Sequence, residues 1–287
     1  MTSSTTDYGV RMARVAALIE DCLENQTVPD LKALAGAAAL SPFHFHRVYR
    51  LLTGERVAQT VRRLRLAVGV RSMEEEGASV TAAAQRAGYS SSQSFGRALK
   101  AETGVTATQF DRGDLPAASD ALDLRPGRRH GLELVSLQPM RVAARTYVGP
   151  YEALNRGYAA LFETLSSAIG PDGVLGVFGI PIDDPRDVEP SEHRFECCMA
   201  LGRSAAGLTG VAERVLPHDL HAVLRHNGSY ASLPGAVDDL YLAIIEDGLA
   251  FRDEPTHVHY VDQPRSDGGV DAEDHISDIR VPVAGCV

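Results

Sequence analysis

From Tyr8 to about Phe110 the apolar positions keep a helical period. Met12, Val15, Ile19 and Cys22/Leu23 recur at three and four residues, and Asp30 then caps a second run through Leu31, Leu34 and Ala35. Ser41-Pro42 supplies an N-cap with proline in the first helical position, where its missing N–H costs nothing. In the helix that follows, Phe45, Val48, Tyr49 and Leu52 share the inward face and Phe43, His46, Arg47 and Arg50 the outward one. Thr53-Gly54 stops it. A rod from Arg56 to about Glu75, with Val57, Val61, Leu64, Ala67 and Val68 inward, spans about 30 Å at 1.5 Å per residue. After Glu76-Gly77 the first unit repeats in outline. Val80–Ala87 is a small-residue helix, Gly88-Tyr89 a turn, Ser90 or Ser91 a cap, and Ser92–Ala101 a helix with Phe95 and Leu99 inward. The pattern predicts two helix-turn-helix units on one rod, an all-α region over 8–112.

Residues 113–130 are rich in Pro, Gly, Asp and Ala without sustained period and read as a linker. From 131 to 287 the period changes. Strands are expected at Leu132–Leu137, Arg141–Val148, Gly173–Ile182, Arg194–Leu201, His221–His226, Thr256–Val261 and Ile276–Val283, and helices at Tyr151–Ile169 and Ala236–Gly248. This is an α+β domain. Its two strand, Gly-x-Tyr turn and helix segments (145–151 and 225–230 with the helices after them) form an internal repeat, predicting two half-domains with a cleft between them.

Composition divides the chain in the same place. The net charge is −10, which excludes a uniformly basic coat for nucleic acid, yet residues 1–112 carry 14 basic and 11 acidic side chains while residues 113–287 carry 14 and 27. Seven arginines against the single acid Glu55 fall between Ser41 and Arg71. No apolar run is long enough to span a membrane and no signal peptide is visible, so a cytoplasmic protein is expected. Cys22, Cys197, Cys198 and Cys286 lack metal spacing and fit reduced thiols; of the adjacent pair, one is expected buried and one partly exposed. His257 and His259 share a strand face, but no third ligand stands at a fixed spacing, so neither a metal nor a cofactor is assigned. His44 and His46 point to different sides of their helix and make no pair.

Several N-terminal segments closely resemble the AraC-type DNA-binding domain. They are Leu-Ser-Pro-Phe-His-Phe-His-Arg-Val-Tyr-Arg (40–50), the Arg-rich rod segment 62–67, Ala-Gly-Tyr-Ser-Ser-Ser-Gln-Ser-Phe-Gly-Arg-Ala-Leu-Lys (87–100) and Thr-Gly-Val-Thr-Ala-Thr-Gln-Phe (103–110). The resemblance implies that double-stranded DNA is the partner. It implies a first recognition helix offering Phe43, His46 and Arg47, and a second offering Ser92, Gln93, Ser94 and Arg97. Arg47 and Arg97 suit a guanine edge, Gln93 an adenine edge and Phe43 a thymine methyl. Arg50, Ser91, Lys100 and the positive face of the rod suit phosphates. The plain alternative, arginines as solvated surface, is outweighed by the motif around them.

The turn at 225–233 and the closing strand Ser-Asp-Ile-Arg-Val-Pro-Val (277–283) resemble the GyrI-like effector-binding domain, also found in Rob-like regulators. That resemblance implies two pseudo-symmetric βαββ units around a small-molecule cleft and a binding role for Asp278, which a strand-end cap or pairing with Arg280 would equally explain. Tyr147, Tyr151, Phe178, Tyr230 and Tyr260 are the available aromatics and Glu196 a second carboxylate. With no tryptophan in the chain, a hydrophobic or cationic effector would rest on Tyr or Phe. The expected function is a DNA-binding transcription regulator whose effector biases docking or contact with RNA polymerase. A non-enzyme is expected. The alternatives are a hydrolase on the same fold and a module that sequesters a protein partner; no nucleophile elbow, metal triad or phosphate loop favours the first.

Overall fold

The computed structural model describes residues 7–104, 132–170, 173–202, 204–205, 207–262 and 275–284. They belong to two compact units, one holding residues 7–104 and the other those from 132 onward. The linker expected at 113–130, and Cys286, lie outside the described residues.

The first unit is helical: α1 (Tyr8–Glu24), α2 (Leu31–Ala37), α3 (Pro42–Thr53), α4 (Val57–Glu76), α5 (Val80–Arg86) and α6 (Ser92–Thr103). Four starts are fixed by side-chain caps. Asp7 accepts from the Val10 amide (3.1 Å), Asp30 from Ala33 (3.3 Å), Ser79 from Ala82 (3.3 Å) and Ser91 from Ser94 (3.1 Å). Ser41 occupies the N-cap position of α3 in extended conformation but makes no cap bond, so that start rests on the preset φ of Pro42. Phe45, Val48, Tyr49 and Leu52 point inward as the spacing requires, and so do Phe95 and Leu99.

The rod departs from its expected face. Leu64, Ala67 and Val68 are only half-buried, and Leu66, Gly69 and Val70 take the interior positions of its second half. The cause is that α4 serves two cores from different sides. Its first half meets α3, where the Tyr49 hydroxyl bonds Thr60 Oγ1 at 2.9 Å. Its second half joins Ala83, Ala84, Ala87, Phe95 and Leu99. A helix used on two sides has no single stripe to read. At Gly69 the approach is so close that an added Cβ would stand 2.6 Å from Phe95 Cε2.

The second unit contains β1 (Glu133–Leu137), β2 (Met140–Val148), α7 (Leu154–Ile169), β3 (Val174–Pro181), β4 (Arg194–Leu201), β5 (Ala212–Leu216), β6 (Asp219–Asn227), α8 (Leu233–Glu246), β7 (Ala250–Phe251), β8 (His257–Tyr260) and β9 (Ile276–Ala284). A single 3-10 turn, at Tyr151–Ala153 and again at Tyr230–Ser232, leads into each helix. Strands β5 and β7 were not expected; one is a charged five-residue run and the other only two residues, too short to show a period.

The strand order β1-β6-β9-β8-β3-β4-β2-β5 is antiparallel and reads as a mirror of itself under exchange of the two repeats. It also forces curvature. Only residues 138–139 join β1 to β2, although six strand spacings separate them in the order. A flat sheet would hold them roughly 29 Å apart, whereas three Cα steps reach about 11 Å. The β5–β6 link, residues 217–218, imposes the same closure. The sheet therefore curls until its ends approach.

Helices α7 and α8 cover the outer face. Ala143, Phe195, Cys197 and Met199 pack beneath α7, and Leu240 and Ile244 of α8 are fully buried. The inner face carries no helix among the described elements, yet Val142, Ala144, Phe178, Ile180, Cys198, Ala200 and Leu216 form a buried cluster on it. Cys197 and Cys198 are consequently both fully buried, one outside and one inside, against the expectation that one would be partly exposed. Burial pushes both thiols up, Cys197 to about 12.

Candidate nucleic-acid interface and effector site

Helices α3 and α6 present the side chains that the sequence placed on their outer faces. Phe43 is 54% exposed, a large apolar group left in solvent at the start of α3, with His46 exposed one turn further on. Arg47 and Arg50 are half-buried on the same side, and His44 is fully buried on the other. On α6, Gln93, Arg97 and Lys100 are exposed and Ser92 is half-buried. Ser91 and Ser94 are occupied locally: Ser91 Oγ accepts the Ser94 amide, and Ser94 Oγ donates to Ser91 O at 2.8 Å. Their main work is to start the helix.

The positive face of the rod is less uniform than the expectation of phosphate contacts allowed. Arg63 is tied to Glu55 at 2.7 Å, and Arg65 turns inward. Arg65 donates from Nε to Ala87 O at 2.8 Å and from Nη2 to Gly88 O, while its guanidinium lies 4.5 Å from the centre of the Tyr89 ring. These carbonyls end α5, so one charged group closes the turn of the second helix-turn-helix. Gly88 has φ of +69°, and an added Cβ would meet Arg65 Nη2 at 3.2 Å. Arg11 of α1 repeats the device at the first turn. Its Nη1 reaches Ala38 O (3.3 Å) and Ala39 O (3.0 Å), and it lies 5.1 Å from the Tyr8 ring centre. Arg62 and Arg71 remain outward on the rod.

The seven residues expected to line one effector cleft do not converge. Strands β3 and β8 pair directly, Val177 with Tyr260, Phe178 with His259 and Gly179 with Val258, so the half-domains share one sheet rather than flanking a gap. Alternation then sends Tyr147 and Tyr260 to the outer face, where Tyr151 and Tyr230 also pack, and sends Phe178, Glu196 and Asp278 to the inner face. Tyr158 of α7, which the sequence reading missed, joins the outer set. Its hydroxyl donates to Phe178 O at 2.9 Å and its ring meets Tyr260 edge-on at 5.7 Å. Tyr230 meets Tyr260 at 5.3 Å, and the Tyr151 hydroxyl donates to Tyr230 O at 3.4 Å. Burial raises the Tyr158 and Tyr260 phenols well above their usual range. The outer aromatics are joined to one another and to the strands beneath them, as a core is.

The inner face holds the charged chemistry. Asp278 receives two bonds from Arg225, Nε at 2.8 Å and Nη2 at 3.1 Å, and lies 3.6 Å from Arg280. Burial alone would raise its pKa; the Arg225 bonds, with the charges of Arg225, Arg280 and His259, more than offset this and hold the carboxyl below its usual range. Glu196 is bonded by Arg214 at 2.6 Å. A groove of about 330 Å³ opens beside Asp278, with Arg225 and Arg280 on one side and Glu133, Val135 and Leu137 of β1 on the other. His259 stacks on Phe178 with ring centres 4.6 Å apart, and its Nδ1 accepts from Arg280 Nη2 at 3.0 Å. The rings of His221 and His257 meet edge-on at 5.3 Å. Among the described residues no group of three or more His, Cys, Asp or Glu side chains is placed to hold a metal ion. Nor is any described helix long and apolar enough to cross a membrane.

A family model described as the GyrI-like small molecule binding domain matches residues 132–284, and a helix-turn-helix domain model matches residues 34–113. The regulatory protein Ada of Salmonella typhimurium is 40% identical over 96 residues, which cover 32% of this chain and 26% of that protein. The bifunctional transcriptional activator/DNA repair enzyme Ada of Escherichia coli is 38% identical over 96 residues, with 32% and 25% covered. The match thus spans about a quarter of the length of these curated relatives. Among solved structures, the EcmrR C-terminal domain is similar at 16% identity and a TM-score of 0.46, covering 55% of this chain and 99% of that one. The chain belongs to the GyrI-like small-molecule-binding family and carries an AraC-type helix-turn-helix domain ahead of that module.

Proposed function

We propose that the protein is a sequence-specific, double-stranded-DNA-binding transcription regulator of the cytoplasm whose C-terminal unit binds a small effector. One observation carries the DNA-binding part. Two short helices, each held to its own motif by an arginine at the turn, leave Phe43, His46 and Arg47 in one case and Gln93 and Arg97 in the other toward solvent. A rod of about 30 Å carries the second motif behind the first, close to the roughly 34 Å between successive major grooves. Arg47 and Arg97 then read bases, while Arg50, Lys100 and the outward Arg62 and Arg71 meet phosphates.

The effector site is the inner-face groove beside Asp278, since a buried carboxylate and two guanidiniums there border open space. Tyr147, Tyr151, Tyr230 and Tyr260 support the fold beneath α7 and α8 and leave the ligand to the inner face. The reading includes no catalysis: the two buried inner carboxylates, Glu196 and Asp278, are already bound by arginine. Effector binding changes operator docking or a contact with RNA polymerase.

Operator affinity measured over a range of salt should fall steeply, and Arg47→Ala and Arg97→Ala should each relax base selectivity at one groove segment. A flat salt dependence, or unchanged selectivity in both variants, defeats the reading.

A further inference from the structure

The internal repeat supplies a control for the effector groove, because the strand registers match the two halves position by position. Ala144 faces Cys198 as Val223 faces Arg280, and Thr146 faces Glu196 as Arg225 faces Asp278. Continuing through β3 and β8, Phe178 corresponds to His257 and Ile180 to His259, while Val142 corresponds to His221. Four inner positions are therefore Val, Phe, Ile and Cys in the first repeat and His, His, His and Arg in the second. A sheet that needed only a core would fill both halves alike, as the first half is filled. Polar groups placed in a buried half without full pairing need a reason beyond packing.

The pairing in the second half is incomplete in one direction. Asp278 has its charge met by two bonds from Arg225. Arg280 shares that one carboxylate at 3.6 Å and donates to His259 Nδ1, and its buried Nε has no acceptor among the described residues. An arginine Nε can only donate. His221 and His257, both essentially inaccessible, each keep one buried ring nitrogen without a partner among the described residues, Nε2 and Nδ1 respectively. The second repeat thus holds a buried surplus of donors and proton acceptors next to Arg280, which lines the groove with Arg225 and Asp278, and Glu133 sits exposed on the opposite wall.

We propose that the ligand of this groove carries an anionic group, a carboxylate or a phosphate, received by the Arg280 guanidinium. This reverses the cationic effector expected from the acidic charge of the C-terminal half, and it rests on the groove being the effector site. Arg280 supplies the charge and the fork of donors that a carboxylate or phosphate matches. The neighbouring imidazoles add a pH dependence. His221, His257 and His259 are all held below their ordinary range, by burial first and by nearby positive charge, including Arg280. Facing them are Arg225, Asp278, Arg280, Arg252 and Glu254, with Glu133 across the groove. An anion beside them favours their protonated forms, so binding takes up protons and tightens as the pH falls.

The test uses the full chain with benzoate and inorganic phosphate as anionic probes and benzyltrimethylammonium as a cation of similar size, by titration calorimetry near pH 6 and pH 8. Benzoate or phosphate is expected to bind at least about tenfold more tightly than the cation, more tightly at the lower pH, and about tenfold more weakly in Arg280→Gln. A near-wild-type denaturant midpoint of the sheet unit in that variant shows that it is folded. The wild-type pH dependence stands as an independent readout should it not fold. Tighter binding of the cation, anion binding that Arg280→Gln leaves intact, or no anion binding overturns the proposal. Cation binding that is lost in Asp278→Asn overturns it while leaving the groove as the effector site. Binding of any probe that ignores both substitutions removes the groove itself.

Discussion

In the helical unit both copies of the motif keep one device: Arg11 closes the turn after α2 and Arg65 the turn after α5, each by bonding carbonyls at the end of the shorter helix. In the sheet unit the copies share their hydrogen-bond register and part company in chemistry, apolar inside one half and basic inside the other. The proposed function accounts for the difference: two recognition helices would both need rigid presentation, so the support is repeated, whereas one effector would need one site, so one half is left as packing.

The helical comparison breaks most easily where the copies are not alike, at the contact of α4 with α6. The ring of Phe95 rests against the bare backbone of Gly69, and Gly69→Ala places a methyl where 2.6 Å is available. Overpacking of a rigid ring against a helix backbone costs about 1–3 kcal/mol. Hydrogen exchange should show α5 and α6 losing protection by that amount while α2 and α3 keep theirs. Equal loss in both motifs would mean that the rod, rather than the individual motif, is the cooperative unit.

The arginines sharpen the same comparison. Lysine keeps the charge of Arg65 but cannot span two carbonyls while stacking on Tyr89. Arg65→Lys should weaken operator binding about tenfold, through protections lost at the second groove segment only, with the slope of affinity against salt unchanged. Arg11→Lys should do the same at the first segment. If either lysine variant binds like wild type, that arginine acts through its charge alone and the turn needs no closure.

Much of this was legible in the sequence. Caps, periods and the Arg-rich motif place every helix of the first unit, because local signals and tertiary packing agree there. The phase of the second half of α4 was not legible, since Leu66 and Val70 answer to a core that lies far along the chain. In the second unit the repeat was visible but its consequence was not. A cleft between half-domains is the natural reading of two small lobes, whereas direct pairing of β3 with β8 fuses them into one sheet. Alternation along β9 already separates Asp278 and Arg280 from Ile279, but which residues of β8 share Asp278's face depends on the register that pairs His259 with Asp278. What no single-strand pattern gives is the curl that makes the helix-free face an interior.

That interior predicts a pH effect confined to the second repeat. Below pH 6.5, the ordinary value for histidine, the unfolded chain takes up protons that the buried His257 refuses. Its folded pKa is depressed, so stability is full above 6.5 and is lost as the pH falls below it, by up to about 1.4 kcal/mol per pH unit for one such group. His257→Phe, which copies Phe178 of the first repeat, should reduce the loss between pH 6.5 and 5 seen by denaturant titration of the sheet unit. A variant as acid-sensitive as wild type would show that His257 is not the group being forced to charge.

The smallest effect separates the two carboxylates. Glu196 and Asp278 occupy matching positions, and each is bonded by an arginine that is mostly in solvent, Arg214 at 50% and Arg225 at 61% side-chain exposure. Exposed partners of this kind contribute about 0–1 kcal/mol. Arg225→Ala still leaves Asp278 within 3.6 Å of Arg280 and 3.9 Å of His259, so its charge stays compensated. Arg214→Ala leaves the buried Glu196 beside Thr146, Ile180 and Cys198, uncharged where the second repeat has Arg225, His259 and Arg280. Denaturant titration at neutral pH should therefore find Arg214→Ala the more destabilising by about 1 kcal/mol, the cost of a polar group left without its partner. Equal losses would show that Arg280 lends nothing to Asp278, and the contrast between the two inner halves would then lie in the histidines alone.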